Sequence, residues 1–166
     1  MPASRKPDIF VAGPPRSGTT ILQKILCDSQ FTNPMVGEAQ HFFNLIQAYE
    51  SAVQLFDTKT KFHFTKDGLF QYHKKMTNDY LIRFRSKFDQ GTRLVMKCPG
   101  YSKYFPQVAE LISHSQFIPI VRDTLDVVAS QIEVGLKQQE IVGKNDGADP
   151  DNAKKLLSWE ACGRVV

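Results

Sequence analysis

Short unbroken apolar runs and stretches of helical spacing take turns along this chain. Asp8 to Ala12 (DIFVA) is one such run, stopped by Gly13-Pro14-Pro15, and reads as a buried strand entering a tight loop. Thr19 to Asp28 then carries Ile21, Leu22, Ile25 and Leu26 at helical spacing. Arg93 to Met96 and Gln116 to Val121 are two further strand-like runs. Between them Pro106 opens a helical segment with Val108, Leu111 and Ile112. Thr124 to Leu136 again has helical spacing, the polar stretch Lys137 to Asp149 reads as a loop, and Pro150 suits the first turn of a last helix toward Trp159. Strands alternating with helices predict an α/β fold with a central parallel sheet flanked by helices.

Residues 42–90 interrupt this rhythm. They are rich in lysines and in aromatics (Phe62, Phe64, Phe70, Tyr72, Tyr80, Phe84, Phe88) and read as a helical insertion whose aromatics serve packing. The 166 residues suit a single domain, 1–166, with a core of its own. The chain stops at Val166 in an apolar, helix-like segment with no polar tail, so it is expected to be a fragment lacking its carboxyl-terminal part.

Composition narrows the partners. A net charge of +4 favours anionic ligands, but without a lysine or arginine block it does not point to nucleic acid. No run reaches the roughly 18 apolar residues of a membrane span, and no long apolar stretch follows Arg5 and Lys6 to make a signal peptide. Cys27, Cys98 and Cys162 are odd in number and far apart, which argues against a disulfide framework or a zinc site and for a reducing, cytoplasmic setting.

The candidate chemistry starts at Gly13. From there the chain reads G-P-P-R-S-G-T-T, the Walker pattern G-x-x-x-x-G-K-[ST] with Thr19 in place of its lysine. A glycine-rich turn between strand and helix aims backbone N–H groups at one spot, and the helix dipole adds to the attraction for an anion. The lysine that reaches the γ-phosphate of ATP is missing, so γ-phosphoryl transfer is disfavoured while anion binding is kept. Arg16 supplies charge in fork geometry, and Ser17, Gly18, Thr19 and Thr20 supply hydroxyls and amides.

A second element, FIPIVRDTLDVVASQ, ends an apolar run in Arg122-Asp123. The aspartate could pass for a magnesium-supporting residue, but Arg122 at a strand's carboxyl end suits a second phosphate better. Ser130, nearly two turns into the following helix, can add a hydroxyl there.

With both elements in hand, PDIFVAGPPRSGTTILQKIL and VMKCPGYSKYFPQVAELISHSQFIPIVRDTLDVVAS resemble the sulfotransferases that use 3′-phosphoadenosine 5′-phosphosulfate (PAPS). The resemblance covers about Asp8 to Ser130. It implies a three-layer P-loop-type domain, a 5′-phosphosulfate loop at Arg16–Thr20, a 3′-phosphate pair in Arg122 and Ser130, and sulfuryl transfer without a metal. Glu38, in PMVGEAQHFF, resembles the catalytic glutamate of the tyrosylprotein and heparan-type branches, with nearby His41 as a fallback base. Lys97, closing RLVMKCPG, resembles the lysine that contacts the leaving phosphate, a duty Arg16 would share; Cys98 reads as packing. The implied acceptor is a hydroxyl on a small molecule, a sugar or a peptide tyrosine. Two other readings stay open: a P-loop nucleotide or small-molecule kinase, which would need ATP and Mg²⁺, and a nucleotide-binding fragment without turnover.

Overall fold

The computed structural model describes residues 6–89 and 91–145, with side chains described as far as residue 137. Spatial proximity divides the chain into two compact units, Met1–Gly13 with Gly18–Ile120, and Pro14–Ser17 with Val121–Val166. No helix among the described residues is long and apolar enough to cross a membrane.

The first unit is built on a parallel sheet of three strands, β1 (Asp8–Ala12), β2 (Val95–Lys97) and β3 (Ser115–Pro119), in the order β2-β1-β3. β1 is the central strand and is buried throughout, as its apolar sequence demands. Its side chains alternate between two helical layers. Ile9 and Val11, with Val95, pack beneath α1 (Thr19–Cys27), which contributes Leu22, Leu26 and Cys27. Phe10 and Ala12, with Leu94 and Met96, face the other way into the larger core. That core is closed by α2 (Gln40–Gln54), α3 (Lys66–Arg85) and α4 (Phe105–Leu111). Helix, sheet, helix is the α/β arrangement expected of a P-loop-type domain.

Phe10 is the centre of the larger core. Its ring stacks on Phe42 and on Phe117, at 5.7 Å in each case, and meets the edge of Tyr101 at 6.4 Å. Phe64, Phe70, Tyr80, Phe84 and Phe88 pack around this core, so most of the aromatics between residues 42 and 90 serve packing; Phe62 and Tyr72 are exposed. Asp8, fully buried at the start of β1, accepts from Arg85 Nη2 of α3 at 2.6 Å and from the Leu94 amide at 3.1 Å.

Element ends depart from the expected ones for local reasons. β2 begins at Val95 rather than Arg93, whose amide and carbonyl pair instead with Phe31 and Asn33 in an isolated parallel bridge centred on Thr32. β3 stops at Pro119, opposite the last residue of β1, and Val121 is exposed rather than part of the strand. Pro119 is tolerated because β3 lies at an edge of this sheet.

The second unit contains α5 (Thr124–Asn145). Asp123 caps it, its Oδ1 accepting from the amides of Leu125 at 2.9 Å and Asp126 at 3.2 Å. The loop expected from Lys137 onward is corrected here: the helix continues to Asn145. Gln138, Gln139 and Glu140 are polar but good helix formers, and Lys137 bonds back to Glu133 one turn earlier at 2.6 Å. The helix expected from Pro150 toward Trp159 lies outside the described residues.

Candidate active site

In the first unit two features stand at the carboxyl ends of β1 and β2. The first is the start of α1. Gly18 precedes the helix in the left-handed region, at φ +99°, with open space where a Cβ would stand. No side chain caps this end, and the first intrahelical bond is Leu22 N–H to the Gly18 carbonyl at 3.1 Å. The amides of Thr19, Thr20 and Ile21 therefore have no helical acceptor and form a donor cluster at the positive end of the helix dipole. Thr19 is buried and Thr20 is exposed.

The second feature is an ion pair. Lys97 closes β2 with only 7% of its side chain exposed, and its Nζ donates to Glu38 Oε1 at 2.6 Å. Glu38 is half exposed, so one partner is fixed in the fold while the other reaches solvent. Residues 31–39 hold it there by running along the open edge of β2. The Arg93 amide donates to Phe31 O at 2.9 Å and the Asn33 amide to Arg93 O at 3.2 Å. The Asn33 side chain then serves Val95 on both sides, accepting from its amide at 2.6 Å and donating to its carbonyl at 3.4 Å. The Ala39 amide donates to Lys97 O at 3.1 Å. From α1, Gln23 Nε2 donates to Val36 O at 3.1 Å.

His41, in the first turn of α2, is exposed and lies 5.6 Å from the Tyr80 ring, centre to centre. Cys98 is buried, and burial is the main reason its thiol is raised above the ordinary value, so packing rather than nucleophilic chemistry is its part.

The second unit gathers Arg16, Arg122 and Ser130. Arg16 is the one described residue other than glycine with a positive φ, 70°. A left-handed arginine is strained by about 1–3 kcal/mol. Its carbonyl accepts from Arg122 Nη1 at 3.1 Å, and its own Nε donates to Ser130 Oγ at 3.2 Å. Arg122 also approaches Asp126 at 3.5 Å. Glu133, further along α5, is held below the ordinary carboxylate range, first by its hydrogen bond to Lys137, with Arg16 adding a smaller attraction. Ser17 is buried, and its Oγ has no hydrogen-bond partner. A buried orphan hydroxyl inside a glycine-rich turn fits a loop that receives a polar group from outside.

The structure thus joins Glu38 to Lys97 in one unit, and Arg16 to Arg122 and Ser130 in the other. Sequence reasoning missed Asn33, Gln23 and Tyr101, the last of which donates from its hydroxyl to Ala39 O at 2.8 Å. A glutamine inside the apolar pattern of α1 and an asparagine just before Pro34 were the available signals. Among the described residues no group of three or more His, Cys, Asp or Glu side chains is arranged to hold a metal ion. The profile of the "Sulfotransferase family" matches residues 7–156 of the chain. No curated protein sequence matches it.

Proposed function

Because the chain belongs to the sulfotransferase family, we propose that it moves a sulfuryl group from PAPS to an acceptor hydroxyl by in-line displacement, with Glu38 as the base. The observation that carries this reading is the 2.6 Å contact between Glu38 and Lys97 at the end of β2. It supplies the two groups the reaction needs, a proton acceptor and a fixed cation for the charge left behind.

Glu38 takes the proton as the acceptor oxygen bonds to sulfur and the bond from sulfur to the phosphate oxygen breaks. On gaining the proton the carboxylate becomes neutral and loosens its hold on Lys97. The ammonium is then released toward the phosphate oxygen on which charge is growing. Arg16 assists in stabilising the departing adenosine 3′,5′-bisphosphate.

The donor fits the residues present. The unpartnered amides at the start of α1 and the hydroxyls of Thr19 and Thr20 suit a 5′-phosphosulfate. Arg122 and Ser130 suit a 3′-phosphate. Asp123, the carboxylate that a magnesium-dependent kinase would use, is engaged in capping α5. The three cysteines, odd in number and far apart in sequence, support a cytoplasmic setting.

Incubation with ³⁵S-labelled PAPS and panels of phenols, sugars and tyrosine peptides tests the assignment. Label is expected on at least one class of hydroxyl, without added Mg²⁺. Label remaining on the nucleotide throughout, under conditions where the nucleotide binds, would leave a binding module and no transferase.

A further inference from the structure

Glu38 sits on a stretch with neither helix nor strand, yet a base must be held within a fraction of an ångström of its working position. What fixes it is the residue that follows. The Ala39 amide is bonded to the Lys97 carbonyl at 3.1 Å, so the backbone beside Glu38 is tied to the residue whose ammonium meets its carboxylate. The Ala39 carbonyl is tied as well, accepting from the Phe43 amide at 3.0 Å and from the Tyr101 hydroxyl at 2.8 Å.

Tyr101 is fully buried, and its ring is fixed against Phe43 at 5.1 Å and Phe42 at 5.9 Å. It stands in the 3₁₀ turn Pro99–Tyr104, immediately after β2. That turn can close on α2 because residue 100 is glycine: a Cβ there would stand 2.7 Å from Phe43 Cζ. The chain that leaves Lys97 thus returns within four residues to grip the backbone next to Glu38.

We propose that Tyr101 is a positioning residue for the reaction, acting through Ala39 to hold the Glu38 carboxylate against Lys97. This rests on the assignment of Glu38 as the base. Tyr101 does not touch the reacting atoms; its hydroxyl fixes the angle at which the segment 33–39 meets α2.

Tyr101→Phe keeps the ring and its packing while removing the hydroxyl, so it tests the hydroxyl alone. Amide hydrogen exchange read by NMR is expected to be about tenfold faster at Ala39 and unchanged at Met96 and Val11. With labelled PAPS and the hydroxyl acceptor returned by the screen above, kcat is expected to fall about tenfold with KM for PAPS unchanged. In a Glu38→Gln background the same substitution is expected to cost nothing further. Unchanged exchange at Ala39 together with unchanged kcat would overturn the proposal, as would an equal loss of turnover in the Glu38→Gln background. Full turnover by Glu38→Gln alone would overturn the base assignment beneath it, a result the exchange measurement does not depend on.

Discussion

The Lys97 ammonium meets the Glu38 carboxylate at 2.6 Å although 59 residues separate them in the chain. Lys97 is almost wholly buried, so its charge relies on this one carboxylate among the described side chains. Stranding a buried ammonium would cost several kcal/mol. Glu38→Gln is therefore the informative substitution, since its amide oxygen still accepts from Lys97 but no longer takes a proton at neutral pH. Turnover is expected to drop by about 10²–10⁴-fold. Affinity for adenosine 3′,5′-bisphosphate is expected to stay close to wild type, while thermal stability falls in part, because the hydrogen bond to Lys97 is kept and its counter-charge is lost. An acceptor assay beside a calorimetric titration checks both halves.

Arg122 is proposed to hold a different part of the ligand. Its guanidinium bonds the Arg16 carbonyl and approaches Asp126, both in exposed positions, so removing it leaves no buried charge behind. Arg122→Ala is expected to weaken adenosine 3′,5′-bisphosphate by about tenfold or more, the worth of a charge-assisted bond to phosphate. Adenosine 5′-phosphosulfate, which lacks the 3′-phosphate, is expected to bind the variant and the wild type alike. Equal losses for both ligands would remove the 3′-phosphate role.

Gly18 separates backbone strain from crowding. Nothing lies within 4 Å of a Cβ placed there, but φ is +99°. Gly18→Ala is thus expected to cost about 1–2 kcal/mol through the backbone alone. Gly18→Asn should cost less, because asparagine tolerates the left-handed region. Urea midpoints of the three proteins give the comparison, and an alanine variant as stable as wild type would contradict the left-handed turn.

His73 governs part of the response to acid. It is buried between Tyr49 and Tyr72, with ring centres at 5.2 and 5.3 Å, its Nδ1 has no partner, and burial pushes the imidazole below its ordinary value. The unfolded chain therefore takes up the proton more readily than the fold. The stabilising contribution is present above about pH 6.5 and is lost as pH falls below it. The urea midpoint should drop between pH 7 and pH 5, and His73→Phe should flatten that drop. An unaltered slope in the variant would assign the acid response to other groups.

The strands and the order of elements were legible because each is written locally. DIFVA reads as a buried strand ended by the turn at Gly13-Pro14-Pro15, and the structure bears this out. Glu38 and Lys97 were legible singly, as a carboxylate after a glycine and a lysine closing an apolar run. Their meeting was not, because it depends on Asn33 lending its side chain to the Val95 backbone, a long-range bond with no periodic signature. The extension of α5 past Leu136 was missed for the opposite reason. Gln138, Gln139 and Glu140 favour a helix by propensity, but they carry none of the apolar spacing by which the earlier helices were recognised.

Calorimetric titration of the wild-type chain in metal-free buffer, with adenosine 3′,5′-bisphosphate in one experiment and ATP with Mg²⁺ in the other, tests the donor assignment most directly. Saturable binding of the bisphosphate, with ATP–Mg²⁺ weaker by at least tenfold, is the expected result. Tighter binding of ATP–Mg²⁺, with none of the bisphosphate, would contradict the account and return the loop at Gly13 to the phosphotransferases.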